Sequence, residues 1–425
     1  TVADVERMTL AERFKYLRLI QPRYLQSSRP ERTALLTEAE QVTHLARKTL
    51  IRRLHGNLTR KPRRRQRGRT YGREVEVVVR LVAETLDFPC AERLQPVLAA
   101  MAAHLAEHGE LDLTPRLVDQ LGRISVSTVT RMLRHLRRDQ PRLPRRRPTQ
   151  TNSLTRHVPA GRIARCQADP GHVEADLVHH AGPSPVGLYV HTLQLVDVAT
   201  GWSERVAILG RSYLVMRDAF ARILARLPFP LLEIHPDNGG EFFNHFLMTY
   251  WRETLPQATL SRSRPYCKND NPFVEEKNGS AVRAYLGFQR LDTVAQTNLL
   301  NQVYDRMWLL HNFFFPVMRL QTKQYRPGRS PSRSFDLPQA PFDRLCATGT
   351  LPPGRQAELA NLRQATNPRL LHHEIHARLA RLRQSSCAKP GAPQDVRKTL
   401  FRSTLQLPDA ILPVTLSFDG TIYLR

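Results

Sequence analysis

Six carboxylates in the middle of the chain are candidates for chemistry because of their type and their place in the local sequence pattern. They are Glu174, Asp176, Asp197, Asp237, Glu275 and Glu276. Carboxylate oxygens are the preferred ligands of hard divalent cations such as Mg²⁺. Two such ions about 3.5 to 4 Å apart can activate an attacking hydroxyl and stabilise a leaving oxygen in phosphoryl transfer. A site of this kind needs carboxylates from separate elements of structure to converge.

Asp176, Asp237 and Glu275 satisfy that requirement best. The pattern puts Asp176 on a strand, Asp237 at the end of a second strand and Glu275 at the start of a helix. Glu174 stays an alternative because residues two apart share one face of a strand. Glu276 stays an alternative to Glu275, from which it is rotated by about 100° around a helix. The residues alone therefore predict a carboxylate site and leave part of its membership open.

The elements that must position these side chains begin at residue 172, where the apolar residues change from a helical to an alternating period. Strands are predicted over 172–179, 187–196 and 202–208, joined by short turns into an antiparallel meander. Asp197 precedes the turn at 199–201, and we expect it to cap that turn rather than bind metal.

Three further elements follow the meander. They are a helix over 213–227, a short strand over 231–235 and a helix over 275–286. The order of strand, strand, strand, helix, strand and helix predicts an RNase H-like fold.

Specific motifs extend this prediction. His235-Pro236-Asp237-Asn238-Gly239-Gly240-Glu241-Phe242 resembles the Asp-Asn-Gly-x-Glu-Phe signature of the retroviral integrase superfamily. Pro265-Tyr266, followed after eight residues by Val274-Glu275 and then by Asn278, is similar to the third motif of that superfamily. Asp176 and the segment 197–202 complete the resemblance, which covers roughly residues 165–315.

The resemblance, with helix-turn-helix patterns upstream, implies a bacterial DDE transposase of an insertion sequence with an architecture similar to that of Mu transposase. It implies that Asp176, Asp237 and Glu275 hold two Mg²⁺ or Mn²⁺ ions per active site. The implied activity is DNA cleavage that frees a 3′-hydroxyl, followed by strand transfer into target DNA. The implied partners are double-stranded DNA, as transposon ends and as target, and further copies of the chain in a multimer on paired ends. A helper ATPase is also compatible with this class.

Two other functions remain open from the sequence. One is a metal-dependent DNA nuclease without joining activity, and the other is a helix-turn-helix regulator with an inactive core. Loss of a carboxylate would be typical of the regulator, and the sequence retains all three.

The charge of the chain indicates a polyanionic partner. Its 64 Lys and Arg against 38 Asp and Glu give a net charge of +26. Residues 1–150 contribute +15, residues 301–425 contribute +10 and the middle contributes +1. Nucleic acid is the usual partner of such a basic protein. The densest run, 60–69, predicts an extended arm in a narrow minor groove of DNA, with contacts from Arg63, Arg64, Arg65, Arg67 and Arg69.

Two helix-turn-helix patterns flank this arm. The first combines a helix over 36–42, capped by Thr37, with a recognition helix over 47–54 that has Leu50, Ile51 and Leu54 on its inner side. The second ends in a recognition helix capped by Ser125. The predicted DNA contacts are Lys48, Thr49, Arg52 and Arg53 in the first pattern and Ser127, Thr128 and Arg131 in the second. The core adds Tyr266 and Lys268 from a basic loop, and Lys277 and Asn278 from the helix that carries Glu275.

The overall prediction is a multidomain α + α/β protein. Its segments are a helix-turn-helix domain (1–60), a basic arm (60–73), a second helix-turn-helix domain (74–138), a linker (139–165), the RNase H-like core (166–320), a linker (321–343) and a basic helical and small β region (344–425). Within the core, an apolar helix is predicted over 301–319.

In the C-terminal region, His372 and His376 stand four residues apart on a predicted basic helix. That spacing permits metal binding, but the segment lacks the HExxH motif, so a helix facing solvent or phosphate is favoured.

No run of eighteen apolar residues occurs, and the first ten residues lack the pattern of a signal peptide. These features predict a cytoplasmic, nucleoid-associated bacterial protein without a membrane partner.

Overall fold

The computed structural model describes residues 8–59, 70–136, 160–161, 169–237, 242–243, 245–264, 270–326, 329–389, 392–401, 414–416 and 422–424. The chain divides into two compact units, Thr1–Thr70 and Tyr71–Arg425. The predicted arm contacts between residues 60 and 69, together with Tyr266 and Lys268, lie outside the described residues.

The first unit contains three helices, α1 (Leu10–Gln26), α2 (Arg29–Thr43) and α3 (Arg47–Leu54). Their apolar sides meet in a small core that includes Leu17, Leu36, Leu50 and Leu54. His44 ends α2 in the left-handed conformation at φ 53°, which turns the chain into α3.

Two details of the first helix-turn-helix prediction were wrong. The helix predicted over 36–42 begins at Arg29, because Ser28 and Glu31 form the capping box and Thr37 lies inside the helix. Ile51, predicted on the inner side of α3, is 38% exposed, because Leu50 and Leu54 alone fill the space against α1 and α2.

The second unit begins with four helices, α4 (Arg73–Thr85), α5 (Ala91–Glu107), α6 (Pro115–Arg123) and α7 (Val126–Leu136). The hydroxyl of Ser125 accepts the Thr128 N–H at 3.3 Å, so the predicted cap of the last helix is present. Val79, Leu98 and Leu133 belong to the same buried cluster as residues of the sheet and of the C-terminal helices. Helices α4 to α7 pack mainly on one another, and their buried residues continue into those of the sheet and of the C-terminal helices in one cluster.

A five-stranded mixed sheet follows. Its strands are β2 (His172–His179), β3 (Val190–Asp197), β4 (Ser203–Leu209), β5 (Glu233–Pro236) and β6 (Thr259–Leu260), after the two-residue β1 (Ala160–Gly161). The strand order is β4-β3-β2-β5-β6. β3 is antiparallel to β2 and to β4, whereas β5 is parallel to β2 and β6 is parallel to β5. β2 is therefore the central strand, and short β7 (Arg262–Ser263) pairs with β1.

Helices cover both faces of this sheet. One face packs against α8 (Tyr213–Arg226) and α9 (His245–Thr254) through residues such as Ala175, Phe220 and Trp251. The other face packs against α12 (Val294–Phe313) through residues such as Val178 and Trp308. Because side chains alternate along a strand, Glu174 and Asp176 of β2 face the α12 side.

The remaining elements are α10 (Pro272–Lys277), a π-helical turn (Asn278–Arg283), α11 (Ala284–Leu286), β8 (Leu320–Arg326), β9 (Arg329–Phe335), α13 (Pro341–Ala347), α14 (Pro353–Ala365), α15 (Pro368–Gln384), a 3₁₀ turn (Val396–Thr399), β10 (Val414–Leu416) and β11 (Ile422–Leu424). No described helix has both the length and the apolar character needed to cross a membrane.

Two expectations for the C-terminal part need correction. The segment 321–343, predicted to be a linker, contains most of β8 and β9, which pair antiparallel from Leu320 with Phe335 to Arg326 with Arg329. The helix predicted over 301–319 lies at Val294–Phe313, where Thr293 and Gln296 form a capping box that sets its start.

Two asparagines of α12 complete the hydrogen bonding of β4 at the edge of the sheet. The amide of Asn301 accepts the N–H of Ala207 and donates to its carbonyl, both at 2.8 Å. Asn312 does the same for Ser203, at 2.9 and 3.1 Å. All four residues are buried, and an edge strand otherwise presents unpaired backbone groups. The helix therefore replaces a sixth strand with side-chain amides.

We expect Asn301→Leu to lower the free energy of unfolding by about 2 to 4 kcal/mol, because it leaves the buried N–H and carbonyl of Ala207 unpaired. Urea denaturation measures the change. Asn298→Leu, at an exposed position on the same helix, is the matched control and should change stability by less than about 0.5 kcal/mol. Equal effects of the two variants would show that the amide of Asn301 is not what stabilises the edge.

Candidate active site

Asp176 and Asp237 lie next to each other at one edge of the central strand pair. β2 and β5 are parallel, and the last residues in register are Ala175 and Pro236. Asp176 is the next residue on β2, and Asp237 is the first residue after β5, so the two aspartates lie where the pairing of these strands ends. Both side chains are half-buried.

Glu275 comes to this place from the first turn of α10. It is exposed, and the pKa of its carboxyl is raised, first by partial burial and then by the negative charge of Asp176. Geometry places Glu275 near Asp176: the N–H of Val274 bonds to Glu174, two positions before Asp176 on β2, and Asn278 bonds to Asp176 itself. These contacts hold the first turn of α10 beside the part of β2 that carries Asp176.

Glu174 fixes the helix that carries Glu275. Its Oε2 atom accepts the backbone N–H of Phe273 at 2.7 Å and of Val274 at 2.9 Å, which are free donors of the first turn of α10. Only 1% of Glu174 is exposed, and burial raises the pKa of its carboxyl to about 8. Glu174 is therefore occupied as a helix anchor on the strand that carries Asp176.

Asp197 and Glu276, the other two candidate carboxylates, also have partners elsewhere. Asp197 is buried and accepts hydrogen bonds from the N–H of Gly171 and from the N–H and hydroxyl of Thr200, so it caps the turn as expected. Glu276 forms an ion pair with Arg93 of α5 at 3.3 Å. This pair directs Glu276 away from the side chains of Asp176 and Glu275.

Two predicted DNA contacts on this helix need correction. Lys277 is 7% exposed, because it follows Glu275 by about 200° around the helix and points into the core. Its ammonium group lies 5.9 Å from the ring centre of Phe315, and burial lowers its pKa to about 7. Asn278 donates its side-chain amide to Oδ2 of Asp176 at 2.5 Å, so it orients that carboxylate instead of facing outward.

An ion pair holds the chain just before α10. The guanidinium of Arg264 donates to both oxygens of Asp270, at 2.9 and 2.7 Å, and its backbone N–H donates to the same carboxylate. The carboxylate is 1% exposed. This bidentate contact fixes the distance between residues 264 and 270, which both lie within the predicted basic loop (261–271).

The three carboxylates suit divalent cations that prefer oxygen ligands. Repulsion between Asp176 and Glu275 already raises the pKa of Glu275, and a cation between them would relieve that repulsion. Among the described residues, oxygens of all three do not gather within 4.8 Å of one another. The three carboxylates are therefore farther apart than the ligands of a single bound ion.

Some of the side chains predicted to contact DNA on the recognition helices are exposed, and the others are half-buried. Lys48 and Arg52 on α3, and Ser127 and Arg131 on α7, are exposed. Thr49, Arg53 and Thr128 are half-buried, and the guanidinium of Arg53 lies 4.9 Å from the ring centre of Phe14. Binding of DNA by these residues stays a prediction.

Sequence reasoning missed the anchoring role of Glu174 and the orienting role of Asn278. Glu174 lies two positions before Asp176 on the same face of a strand, and a buried acidic group there needs hydrogen-bond partners. Which partners it has depends on a contact between positions 174 and 274, which the local pattern does not contain.

We expect Glu174→Ala to lower the free energy of unfolding by about 2 to 4 kcal/mol, because two N–H groups of α10 lose their acceptor. Glu174→Gln keeps an acceptor oxygen of the same size and should cost less than about 1 kcal/mol. Urea denaturation of both variants measures the difference. A similar loss in the two variants would mean that α10 does not depend on that acceptor.

Comparison with solved structures returns catalytic cores of retroviral integrases at low similarity. The catalytic core domain of BIV integrase is 19% identical, covers 28% of this chain and 72% of that chain, and has a TM-score of 0.22. The catalytic core domain of HTLV-2 integrase, in a dimeric form with magnesium, is 17% identical, covers 35% of this chain and 90% of that chain, and has a TM-score of 0.26.

One known protein sequence is similar to this chain over most of its length. No protein-family model matches the chain. The uncharacterized protein y4rM of Sinorhizobium fredii is 34% identical over 339 residues, which are 80% of this chain and 96% of that protein. Because the similarity extends over nearly all of that protein, this chain belongs to the same family as y4rM.

Proposed function

We propose that this protein is a DNA-cleaving and DNA-joining enzyme of the retroviral integrase superfamily, and specifically a DDE transposase. The observation that supports the proposal is that three neighbouring elements carry the proposed ligands. Asp176 lies on the central strand, Asp237 directly after its parallel neighbour, and Glu275 in the first turn of α10, which Glu174 holds against that strand.

The strand order supports the same proposal. Three antiparallel strands, followed by strands parallel to the first, in the order β4-β3-β2-β5-β6, make the arrangement expected of an RNase H-like core. In this fold the carboxylates lie on the central strand and next to it, as Asp176 and Asp237 do.

Each residue has a role that follows from its contacts. Asp176, Asp237 and Glu275 would hold two Mg²⁺ or Mn²⁺ ions, which activate the attacking oxygen and stabilise the leaving oxygen of a phosphodiester. Asn278 orients Asp176, and Glu174 fixes the start of α10, so both act through the carboxylates. Arg264 and Asp270 pair within the basic loop, on either side of Tyr266 and Lys268, which would contact the scissile strand.

The reaction has two stages in this proposal. Water first attacks the phosphodiester at the end of the mobile element and breaks its bond to the 3′-oxygen, which leaves as a 3′-hydroxyl. That hydroxyl then attacks a phosphodiester of target DNA, and the bond broken there releases a second 3′-oxygen. Since two DNA ends must be joined to one target, we infer that the protein acts as a multimer on paired ends, and a helper ATPase is compatible with this scheme.

DNA ends are recognised in this proposal by the basic N-terminal part. The exposed side chains of α3 and α7 would enter major grooves, and the arm over 60–69 would follow the minor groove.

We expect Asp176→Asn and Glu275→Gln to reduce both cleavage and strand transfer at least about 1,000-fold, because each removes a ligand of the reacting centre. The measurement uses labelled DNA carrying the element's end, with a pre-cut end to isolate joining. Glu276→Gln is the matched control next to Glu275 and should retain activity, since its carboxylate pairs with Arg93.

Insertion of the pre-cut end into a plasmid distinguishes a transposase from a nuclease. A protein that cuts but never joins would overturn the transposase proposal. Retained joining by Asp176→Asn would overturn the assignment of the site.

We expect replacement of Arg63, Arg64 and Arg65 by Ala to weaken binding to the element's end and to flatten its salt dependence. Loss of three phosphate contacts would reduce the slope of log K against log salt by up to about 2.7. Fluorescence anisotropy at several salt concentrations in EDTA measures this slope. Glu275→Gln should leave the slope unchanged there, and an unchanged slope in the triple variant would exclude the arm from phosphate binding.

A further inference from the structure

A second cluster of metal-binding side chains lies outside the carboxylate site. It consists of Asp87, which follows α4, and of His372 and His376 on α15. The Nε2 atoms of His372 and His376 lie 3.0 and 2.9 Å from the same oxygen, Oδ1 of Asp87. All three ligand atoms lie within 4.8 Å of one another.

The backbone around Asp87 is built to present its side chain. Asp87 and Phe88 both have the left-handed conformation, at φ 51° and 53°. The Phe88 N–H bonds to the carbonyl of Ala83 at 2.7 Å and closes the end of α4. Two successive non-glycine residues in this region cost free energy, so the conformation has to be stabilised by contacts elsewhere. The contacts here include the packing of Phe88 against the core and those of the Asp87 carboxylate.

The second oxygen of this carboxylate is also fixed. The hydroxyl of Tyr285 donates to Oδ2 of Asp87, and Tyr285 itself is buried. This bond leaves Oδ1 directed at the two imidazoles. A buried group that orients a ligand from behind in this way is typical of protein metal sites.

We propose that Asp87, His372 and His376 bind one zinc ion. In a tetrahedral zinc site with bonds of about 2.0 to 2.1 Å, neighbouring ligand atoms are about 3.3 Å apart. The two nitrogens therefore have to move from the oxygen by only a few tenths of an ångström. Two imidazole nitrogens and one carboxylate oxygen are a ligand set that Zn²⁺ favours over Mg²⁺.

The site is open to solvent on one side. His376 is 43% exposed, whereas His372 and Asp87 are 19% and 23% exposed. A water molecule can therefore supply the fourth ligand, and each neutral imidazole would bind the ion through the lone pair of Nε2 and keep its proton on Nδ1.

The ion would join three distant parts of the second unit. Asp87 belongs to the helices upstream of the sheet, the two histidines belong to α15, and Tyr285 lies ten residues after Glu275. The zinc ion therefore has a structural role that is separate from the carboxylate site.

The test is a titration of the full chain, stripped with EDTA, with Co²⁺ as a spectroscopic substitute for Zn²⁺. Four-coordinate Co²⁺ with imidazole ligands absorbs visible light strongly, whereas octahedral Co²⁺ on carboxylates and water absorbs weakly. We expect one strongly absorbing Co²⁺ per chain, its displacement by Zn²⁺, and a rise of several degrees in Tm when Zn²⁺ is added. Absence of that absorption in the wild-type chain would overturn the proposal.

Variants identify the ligands. The double variant His372→Ala/His376→Ala should lose the absorbing site. Asp87→Asn should weaken Co²⁺ binding at least about 10- to 100-fold. Loss of an outer-shell partner alone has an effect of that size, and Asp87 is a direct ligand in this proposal. Asp87→Asn keeps an acceptor oxygen for the histidines, so it tests the site even if the double variant fails to fold.

His373→Ala is the matched control, because His373 is exposed on the same helix. It should bind Co²⁺ as the wild type does. The control is needed because the chain has 16 histidines, and others among them could bind Co²⁺. Undiminished binding by Asp87→Asn, or by a folded double variant, would overturn the assignment of these ligands.

Discussion

The candidate active site depends on one buried carboxylate that is not itself a member of the proposed triad. Glu174 accepts two N–H groups at the start of α10, and through them it fixes Glu275 relative to the central strand. The helix has no side-chain cap of its own at Asn271. The strand therefore supplies the cap from a distance of about one hundred residues along the chain, and the same strand presents Asp176 two positions later. One interaction thus sets the relative position of two of the three carboxylates.

Two features stabilise the sheet that carries this site. Helices cover both faces of the sheet, and the amides of α12 satisfy its exposed edge at Ser203 and Ala207. A buried edge without those partners would leave unpaired backbone groups. α12 consequently acts both as a packing surface and as a hydrogen-bonding partner.

Much of this arrangement could be predicted from local sequence pattern. The sequence pattern located β2 at its observed bounds and β3, β4 and β5 to within a few residues, but it did not predict β6. The residue type of Asp197 before a turn predicted its cap. The predictions were wrong or incomplete where contacts with distant parts of the chain determine the burial or the partner of a side chain. Lys277 is polar by sequence but buried by its angular position, and Ile51 is apolar but exposed because two leucines already fill the core. The partner of His372 and His376 lies 285 and 289 positions away, so no local motif contained it.

The shared core of the second unit has a consequence for how the chain is made. Residues of α4 to α7 are buried together with residues of α15, and Asp87 lies 285 positions before His372. At a synthesis rate of about 5 to 20 residues per second, the upstream helices leave the ribosome roughly 15 to 60 s before their partner exists. Their apolar sides stay partly uncovered during that interval, which exposes them to chaperones and to association with other chains. The order of synthesis therefore makes the upstream helices the part of this unit that waits longest for its final packing.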